Sequence, residues 1–279
     1  MAISPFTSLA CPLDGEPLYL QGSSWGCASG HSFDVARQGY THLLPVQQKR
    51  SLEPGDSKAM VAARQRFLNK GHYQPLADAV SHWLLHEGAG SLPLACLDAG
   101  CGEGYYLRQL AAAAGSRELA LVGVDISKWA VLAAAKQDRQ PQWLVASNAH
   151  LPVSSASVDR VLCLFGFPVY PEFARVLKPG GQLLLVESGP DHLRQLREII
   201  YPQVKPARDV ARELAPGLAE TTRTRVSFPL SLTDPEDIAD LLAMTPHLYR
   251  ANSEGRARAS ALSKLDLTID INLVTINRV

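Results

Sequence analysis

An acidic residue followed by three glycines at alternate positions is the stretch of this sequence best suited to chemistry. Asp98 ends an apolar run, and Gly100, Gly102 and Gly104 follow it in the string Gly-Cys-Gly-Glu-Gly. Glycine permits a sharp turn and a close approach of the backbone to a ligand. The helix predicted from residue 105 offers unpaired N–H groups to that ligand. The stretch therefore predicts a strand, a ligand-binding turn and a helix.

The spacing of these glycines resembles the first motif of class I S-adenosylmethionine (SAM) methyltransferases. Dinucleotide-binding folds space their glycines as G-x-G-x-x-G instead. Because SAM has no pyrophosphate, the resemblance implies that Gly100, Gly102 and Gly104 hold its methionine moiety and the edge of its ribose. An acidic group such as Asp98 then lies near the α-ammonium group.

Two polar residues follow the next predicted strands. Asp125 ends the apolar run 119–125, where a carboxylate accepts hydrogen bonds from both ribose hydroxyls of an adenosine cofactor. Asn148 follows the strand predicted at 142–146, in a position to pair with the adenine amino group. Both residues extend the predicted cofactor site along one edge of the sheet.

The order of the predicted elements indicates an α/β domain with a mostly parallel sheet. Strands are predicted at 94–98, 119–125, 142–146, 158–165, 182–187, 224–230 and 267–276, and helices at 75–87, 172–177 and 235–244 and directly after Gly189. The last two strands alternate apolar and polar residues and predict a closing antiparallel pair. The string from Ala174 to Gln182 is typical of class I methyltransferases. The expected fold is therefore Rossmann-like, with seven strands and an antiparallel last strand.

A small zinc-ribbon-like module is predicted before this domain, in residues 1–36. Cys11, Asp14, Cys27 and His31 are spaced like the two knuckles of a zinc site joined by a short hairpin. The segment has too little apolar side chain to fold alone, so one zinc ion per chain would stabilise it. Three interpretations remain open: zinc with Asp14 as fourth ligand, zinc completed by water, or a site that has lost its metal. Free thiols in a small hairpin are the plain alternative.

Residues 37–72 form a basic connector between this module and the domain at 73–279. Seven cations face two anions, a local excess of five: Arg37, Lys49, Arg50, Lys58, Arg64, Arg66 and Lys70 against Glu53 and Asp56. Such a patch in a chain of zero net charge is typical of a polyanion-binding surface. The alternative is a solvated linker with a charged helix.

Composition excludes several other classes of protein. The chain has 279 residues, of which 46% are hydrophobic and 19% charged, as expected of an ordinary soluble protein. It contains no apolar run of membrane-spanning length, and its first ten residues lack the basic charge of a signal peptide. Five cysteines in a chain of this length do not make a disulfide scaffold. We therefore expect a cytoplasmic protein.

Nearly the whole chain resembles the bacterial 23S rRNA (guanine-N1)-methyltransferase family. The segments that carry the resemblance are Cys11-Pro-Leu, Cys27 to His31, Gly39 to Arg50, Pro54 to Ser57, Gly71 to Leu76, Gly100 to Tyr106 and Gly189 to Leu193. It implies a zinc module joined to a SAM domain, and a homodimer that presents a cleft to a hairpin of 23S rRNA rather than to DNA or a membrane. It also implies SAM contacts from Tyr73, Gly102, Glu103 and His192. Asp14 departs from the family, which has a cysteine ligand there.

The resemblance implies SAM-dependent methylation of guanine N1 in this RNA. Since N1 lies on the pairing edge and carries a proton, the base must be unpaired or extruded, and its proton must pass to a base or to water. The loop 166–168 follows the fourth strand, where a methyl acceptor would meet the donor. Glu187, Asp191 and His192 lie near the tip of the fifth strand, but no spacing singles out a catalytic base. The alternatives are methylation of a neighbouring guanine, as in a macrolide-resistance branch, methylation of a small molecule, and RNA binding without catalysis.

Overall fold

The structure is a computed structural model and describes residues 3–48, 51–86, 93–204, 212–247 and 251–279. Its strands are β1 (Ile3–Ser4), β2 (Tyr19–Gln21), β3 (Ser24–Gly26), β4 (Ser32–Asp34), β5 (Tyr40–His42), β6 (Leu94–Ala99), β7 (Leu119–Asp125), β8 (Gln142–Val145), β9 (Val158–Leu164), β10 (Leu177–Ser188), β11 (Leu218–Leu232) and β12 (Leu265–Arg278). Its α-helices are α1 (Lys58–Asn69), α2 (Gln74–His86), α3 (Tyr105–Ala113), α4 (Lys128–Gln137), α5 (Tyr170–Val176), α6 (Arg194–Ile200), α7 (Pro235–Met244) and α8 (Ser253–Ser260). None of the helices in these ranges has the length and hydrophobicity needed to cross a bilayer.

One mixed sheet forms the larger part of the molecule. Within the described ranges, nine strands join it in the order β11-β12-β10-β9-β6-β7-β8-β5, with β1 beside β7. Strand β12 runs antiparallel to both of its neighbours, whereas the pairs from β10 to β5 are parallel. The seven strands from β6 to β12 confirm the predicted mostly parallel sheet with an antiparallel final strand.

The central strands are buried on both faces. All six residues of β6 and all seven of β9 are buried. Leu94 and Cys96 of β6 belong to one hydrophobic cluster, whereas Ala95 and Leu97 belong to the other. Successive residues of a strand point to opposite faces, so both faces of the sheet are covered. This explains why these strands are continuous apolar runs in the sequence.

The N-terminal module is attached to the large sheet at both of its ends. Strands β2, β3 and β4 form a separate antiparallel sheet, in which β2 and β3 are the predicted hairpin between the two cysteines. Before it, Ile3 of β1 pairs with Leu119 of β7. After it, Thr41 of β5 pairs with Leu144 of β8. The predicted connector therefore contributes a strand to the sheet, and its bounds at 37 and 72 stay a prediction.

Apolar side chains of the module pack against the large sheet. Phe6, Leu9, Leu18 and Trp25 are buried in the same hydrophobic cluster as Leu144 of β8. The module therefore obtains from the sheet the apolar contacts that it lacks alone. The stabilisation that the sequence analysis assigned to a metal is shared with ordinary packing.

Several elements begin at residues other than those predicted; β11, for example, starts at Leu218 rather than at residue 224. Helix α6 starts at Arg194, five residues after Gly189, because Leu193 has a positive φ of 51° and the intervening residues form a turn. The Asp270 carboxylate holds this turn by accepting the backbone N–H of Asp191 at 2.9 Å. Strand β10 starts at Leu177, before the predicted Gln182, and its pairing with β9 is interrupted by an irregularity between those two residues.

Two of the four basic residues on the connector helix and its C-cap pair with acids of α7 and its N-cap. Arg66 donates two hydrogen bonds to Asp240, and Lys70 pairs with Asp234 and Asp237. These acids lie far along the chain, so the excess of five counted in the connector is reduced on the folded surface. The basic residues Lys49 and Arg50 lie outside the described residues.

Candidate functional site

The turn between β6 and α3 brings the predicted glycines next to Asp125. The backbone N–H of Gly100 donates to the carbonyl of Val124 at 2.8 Å, and that of Gly102 donates to Asp125 Oδ2 at 3.0 Å. Gly100 has a φ of 102°, and a Cβ added to it would meet no atom within 4 Å. This side of the turn is therefore open to a ligand.

The ring of Trp143 fills the space behind the turn. Trp143 is fully buried, and a Cβ on Gly104 would lie 2.6 Å from its ring. A Cβ on Gly123 would lie 2.4 Å from the same ring. Such distances are far below van der Waals contact, so both glycines are required by the indole. Sequence reasoning placed Trp143 only in a strand, because nothing local shows what its ring contacts.

Asp98 is a buried carboxylate to which the described residues offer no hydrogen bond. Only 1% of the residue is exposed, and neither Oδ1 nor Oδ2 has a partner. Burial, with a smaller contribution from Asp125, raises the pKa of Asp98 to about 8. A buried unpaired acid is costly unless a cationic donor binds it. The ammonium group of SAM has the charge and the donors that Asp98 lacks, so this residue fits the expected cofactor.

Asp125 is held in place by two backbone groups. Its Oδ2 accepts from Gly102, and its Oδ1 accepts from the N–H of Ser127 at 2.8 Å. Each carboxylate oxygen has a second acceptor site. Both oxygens of Asp125 can therefore still accept a hydrogen bond from a ribose hydroxyl, and the two backbone hydrogen bonds fix the orientation of the carboxylate.

The side chain of Glu103 is engaged within the protein. Its Oε2 accepts from Arg108 Nη2 at 2.9 Å and from Gln137 Nε2 at 2.5 Å. The carboxylate is fully buried and links α3, which carries Arg108, to α4, which carries Gln137. Its Oε1 is buried and has no hydrogen-bond partner among the described residues, and the role of Glu103 as a cofactor contact stays a prediction.

Tyr73 and Asn148 lie at the margins of this site. Tyr73 precedes α2, is 3% exposed, and packs edge-on against Phe67 with ring centroids 5.5 Å apart. Asn148 is partly buried in the turn after β8. Their roles as cofactor contacts stay predictions.

His192 lies at the tip of β10 beside an aromatic residue that the sequence analysis did not select. Its ring stacks on Phe165 with centroids 5.8 Å apart and an interplanar angle of 24°. Burial lowers the pKa of His192 to about 4, so the ring is neutral at pH 7. Phe165 follows β9 with a φ of 52°, a strained conformation for an aromatic residue and common at functional sites. A run of apolar residues gives no signal of that strain.

The other acids near this tip are engaged in ion pairs. Glu187 pairs with Arg212 at 2.6 Å, and Asp191 pairs with Arg225 at 3.1 Å. Arg225 also contacts the buried carboxylate of Asp270 at 2.6 Å. These ion pairs single out none of the carboxylates as a catalytic base, so its identity stays open.

The four predicted metal ligands form one cluster. The distances are 3.5 Å from Cys11 Sγ to His31 Nδ1, 3.4 Å from Cys27 Sγ to the same nitrogen, 3.6 Å from Cys27 Sγ to Asp14 Oδ2 and 3.0 Å from His31 Nδ1 to Asp14 Oδ2. Bonds of about 2.3 Å from zinc to sulfur and about 2.0 Å to nitrogen or oxygen separate the ligand atoms of a tetrahedron by about 3.3–3.8 Å. Three of the four distances fall in this range and the His31–Asp14 distance is slightly shorter, so the cluster is compatible with a zinc ion that has Asp14 in the fourth position.

We expect purified protein to carry less than one zinc per chain and to reach one per chain when zinc is added. A carboxylate is a harder ligand than a thiolate and holds zinc less firmly in a sulfur-containing site. Asp14→Cys should therefore tighten the site, and Cys27→Ser should abolish it, as measured by elemental analysis and chelator competition.

SAM binding serves as the control for both variants and should be retained, because Asp98 lies on another element. The expectation is wrong if no concentration of zinc loads the wild-type protein and the module stays ordered in chelator. The packing of the module on the sheet would then suffice without a metal.

Two family models match this chain in the same order as its two parts. The zinc-ribbon model described as "RlmA, N-terminal" matches residues 9–52, and a model described as "Methyltransferase domain" matches residues 97–185. The first range contains the metal cluster, and the second begins at the strand that carries Asp98.

Curated relatives match over nearly the full length. The chain is 31% identical to "Putative 23S rRNA (guanine-N(1)-)-methyltransferase YxjB" of Bacillus subtilis, with 96% of each chain covered. It is 32% identical to the 23S rRNA (guanine(748)-N(1))-methyltransferase of Streptomyces fradiae, with 91% of this chain and 90% of the relative covered.

Proposed function

Because the chain belongs to the 23S rRNA (guanine-N1)-methyltransferase family, we propose that it transfers a methyl group from SAM to N1 of a guanine in a hairpin of 23S rRNA. The observation that carries the proposal is an exposed aromatic strand tip beside the glycine turn. A Cβ on Gly166, in this tip, would lie 3.7 Å from the carbonyl of Ala99, which precedes the turn. The proposed position of the guanine is therefore next to the proposed position of the methyl donor.

The aromatic residues of this tip suit a flipped base. Phe165 is 43% exposed and Phe167 is 89% exposed, although both are large apolar side chains. Bases that leave a helix are commonly stacked on such rings. We therefore propose that Phe165, with His192 behind it, supports the extruded guanine.

SAM supplies an electrophilic methyl group on its sulfonium centre. The proposed cofactor site consists of Asp98, Gly100, Gly102, Gly104, Asp125 and Asn148, with Tyr73, Glu103 and His192 at its edges. Holding N1 in line with the donor accounts for much of an acceleration of this kind. The N1 proton leaves to a base or to water, and the catalytic base stays unassigned.

The remaining assignments are parts of the same proposal. Residues 1–36 form a zinc module, 37–72 a connector and 73–279 the methyltransferase domain, in a cytoplasmic homodimer. The module and the sheet share a hydrophobic cluster, which supports their action as one RNA-binding unit.

We expect methyl transfer from labelled SAM to unmodified 23S rRNA, with one methyl group per RNA molecule. Transfer to 16S rRNA and to a panel of small-molecule acceptors should be absent. Nuclease digestion and mass spectrometry would locate the label on guanine N1. Transfer only to a small molecule, or SAM binding with no transfer at all, would contradict the proposal.

Phe165→Ala should then lower kcat/KM for RNA by roughly 5–150-fold, since stacking of one base contributes about 1–3 kcal/mol. SAM affinity should change much less than kcat/KM, because among the described residues Phe165 meets the proposed cofactor site only through the ring of His192. An unchanged kcat/KM would place the guanine elsewhere on the sheet edge.

A further inference from the structure

The guanidinium of Arg64 lies over the glycine turn. Arg64 belongs to α1, 38 positions before Gly102 in the sequence. A Cβ added to Gly102 would lie 3.8 Å from both Cδ and Nη1 of this arginine. The side chain is 24% exposed, so it is partly desolvated against the turn. In the sequence, Arg64 stands out only as one of the connector charges.

The segment before α1 fixes this position. Ser127 Oγ donates to the carbonyl of Asp56 at 2.6 Å, and a Cβ on Gly55 would lie 2.9 Å from Ser127 Cβ. The N–H of Ser127 in turn donates to Asp125. The turn before α1 is therefore attached to the strand tip that carries the predicted ribose ligand, and α1 forms a wall of the cofactor site.

Arg64 differs from its basic neighbours on α1 in what it faces. Arg66 and Lys70 are bound to acids of α7. Arg64 instead pairs through Nη1 with Asp56 and donates from Nη2 to the carbonyl of Met244 at 3.2 Å. A guanidinium has five N–H donors, so these bonds leave donors for a further acceptor. Arg64 is also the cation nearest to Gly102 among the contacts of that glycine.

The methionine end of SAM carries both an ammonium and a carboxylate. The buried, unpartnered Asp98 suits the ammonium, whereas the carboxylate needs a cation in a site otherwise bordered by the acids Asp98, Glu103 and Asp125. Arginine binds carboxylates with paired, charge-assisted hydrogen bonds. We propose that Arg64 binds the α-carboxylate of SAM. The connector then contributes a side chain to the cofactor site, besides joining the module to the methyltransferase domain.

Calorimetric titration with SAM and with decarboxylated SAM tests this inference. Wild-type protein should bind SAM at least about tenfold more tightly, because only SAM offers a carboxylate to the guanidinium. Arg64→Met should weaken SAM binding by about 10–100-fold and leave the affinity for decarboxylated SAM within about threefold, since that ligand has no group for Arg64. The preference for SAM should therefore disappear.

Arg66→Met is the matched control, because it removes an arginine from the same helix two positions away and should keep the preference of wild type for SAM. Equal losses for both ligands in Arg64→Met would assign Arg64 a structural role and overturn the proposal. If Arg64→Met does not fold, Arg64→Lys replaces it and should keep part of the preference for SAM over decarboxylated SAM. A wild-type protein that shows no such preference would also overturn the proposal. Neither titration contains RNA, so failure of the proposed rRNA methylation is seen separately.

Discussion

Replacing Asp98 by asparagine is expected to stabilise the cofactor-free protein at neutral pH and to weaken its binding of SAM. Burial raises the pKa of this carboxyl to about 8, whereas in the unfolded chain it ionises near its ordinary value of about 4. Between these two values the folded state holds a proton that the unfolded state has lost. Stability is therefore highest below about pH 4 and falls as the pH rises toward 8.

The size of the effect follows from the same pKa difference. Each pKa unit corresponds to about 1.4 kcal/mol. Because pH 7 lies about three units above the pKa of Asp98 in the unfolded chain, the raised pKa lowers the free energy of unfolding by up to about 4 kcal/mol at this pH. Asparagine does not titrate and removes this cost, although it leaves a buried amide. SAM affinity should fall by about 10–100-fold, because a hydrogen bond to a charged group is lost.

Urea denaturation between pH 5 and 9 measures the first effect, and calorimetric titration measures the second. The stability of wild type should decrease over this range relative to that of Asp98→Asn. Asp78→Asn, at an exposed position of α2, is the matched control and should reproduce the wild-type curve. Parallel pH curves for wild type and Asp98→Asn would show that Asp98 is ionised and paired in the folded protein.

Gly123→Ala is expected to cost about 3 kcal/mol or more, at the upper end of the range for overpacked cores. The new Cβ would lie 2.4 Å from the ring of Trp143, with Cys101 Sγ at 3.1 Å on another side. The ring is fully buried and has no free space to enter. Displacement of Trp143 would also disturb Gly104 and hence the start of α3, so SAM affinity should fall together with stability.

A double-mutant cycle with Trp143→Leu tests this cause directly. The smaller side chain removes the clash, so adding Gly123→Ala to Trp143→Leu should cost less than about 1 kcal/mol, with a coupling energy of about 2 kcal/mol between the positions. Gly26→Ala is the control, since its Cβ would only reach ordinary contact with Gln21 at 3.5 Å. Additive effects at positions 123 and 143 would contradict the steric explanation.

The parts of the fold that the sequence predicted are those with local patterns. Apolar runs that end in Asp98 and Asp125 predicted the two central strands β6 and β7. The alternation of apolar and polar residues in 267–276 predicted the antiparallel strand β12. The spacing of Cys11, Asp14, Cys27 and His31 predicted a cluster whose members the structure brings together. In each case the signal lies within a few residues, as side-chain periodicity and turn chemistry require.

The features that escaped prediction depend on contacts between distant segments. Strands β1 and β5 have only two and three residues, too few to show a period. The start of α6 depends on the carboxylate of Asp270, 76 positions after Arg194. Arg64 reaches the cofactor turn through the docking of α1, and Arg66 meets Asp240 across 174 positions. Charge counting along the connector could not anticipate either contact.

The attachment of β1 and β5 to the large sheet bears on the order of events during synthesis on the ribosome. Ile3 pairs with Leu119, and Tyr40 pairs with Trp143, so each partner is translated more than a hundred residues later. At about 5–20 residues per second, that delay is on the order of 5–20 seconds. The four ligands of the metal cluster have all left the peptidyl-transferase centre long before then. A metal ion bound at that stage would keep the nascent N-terminus in a closed loop until its partner strands exist.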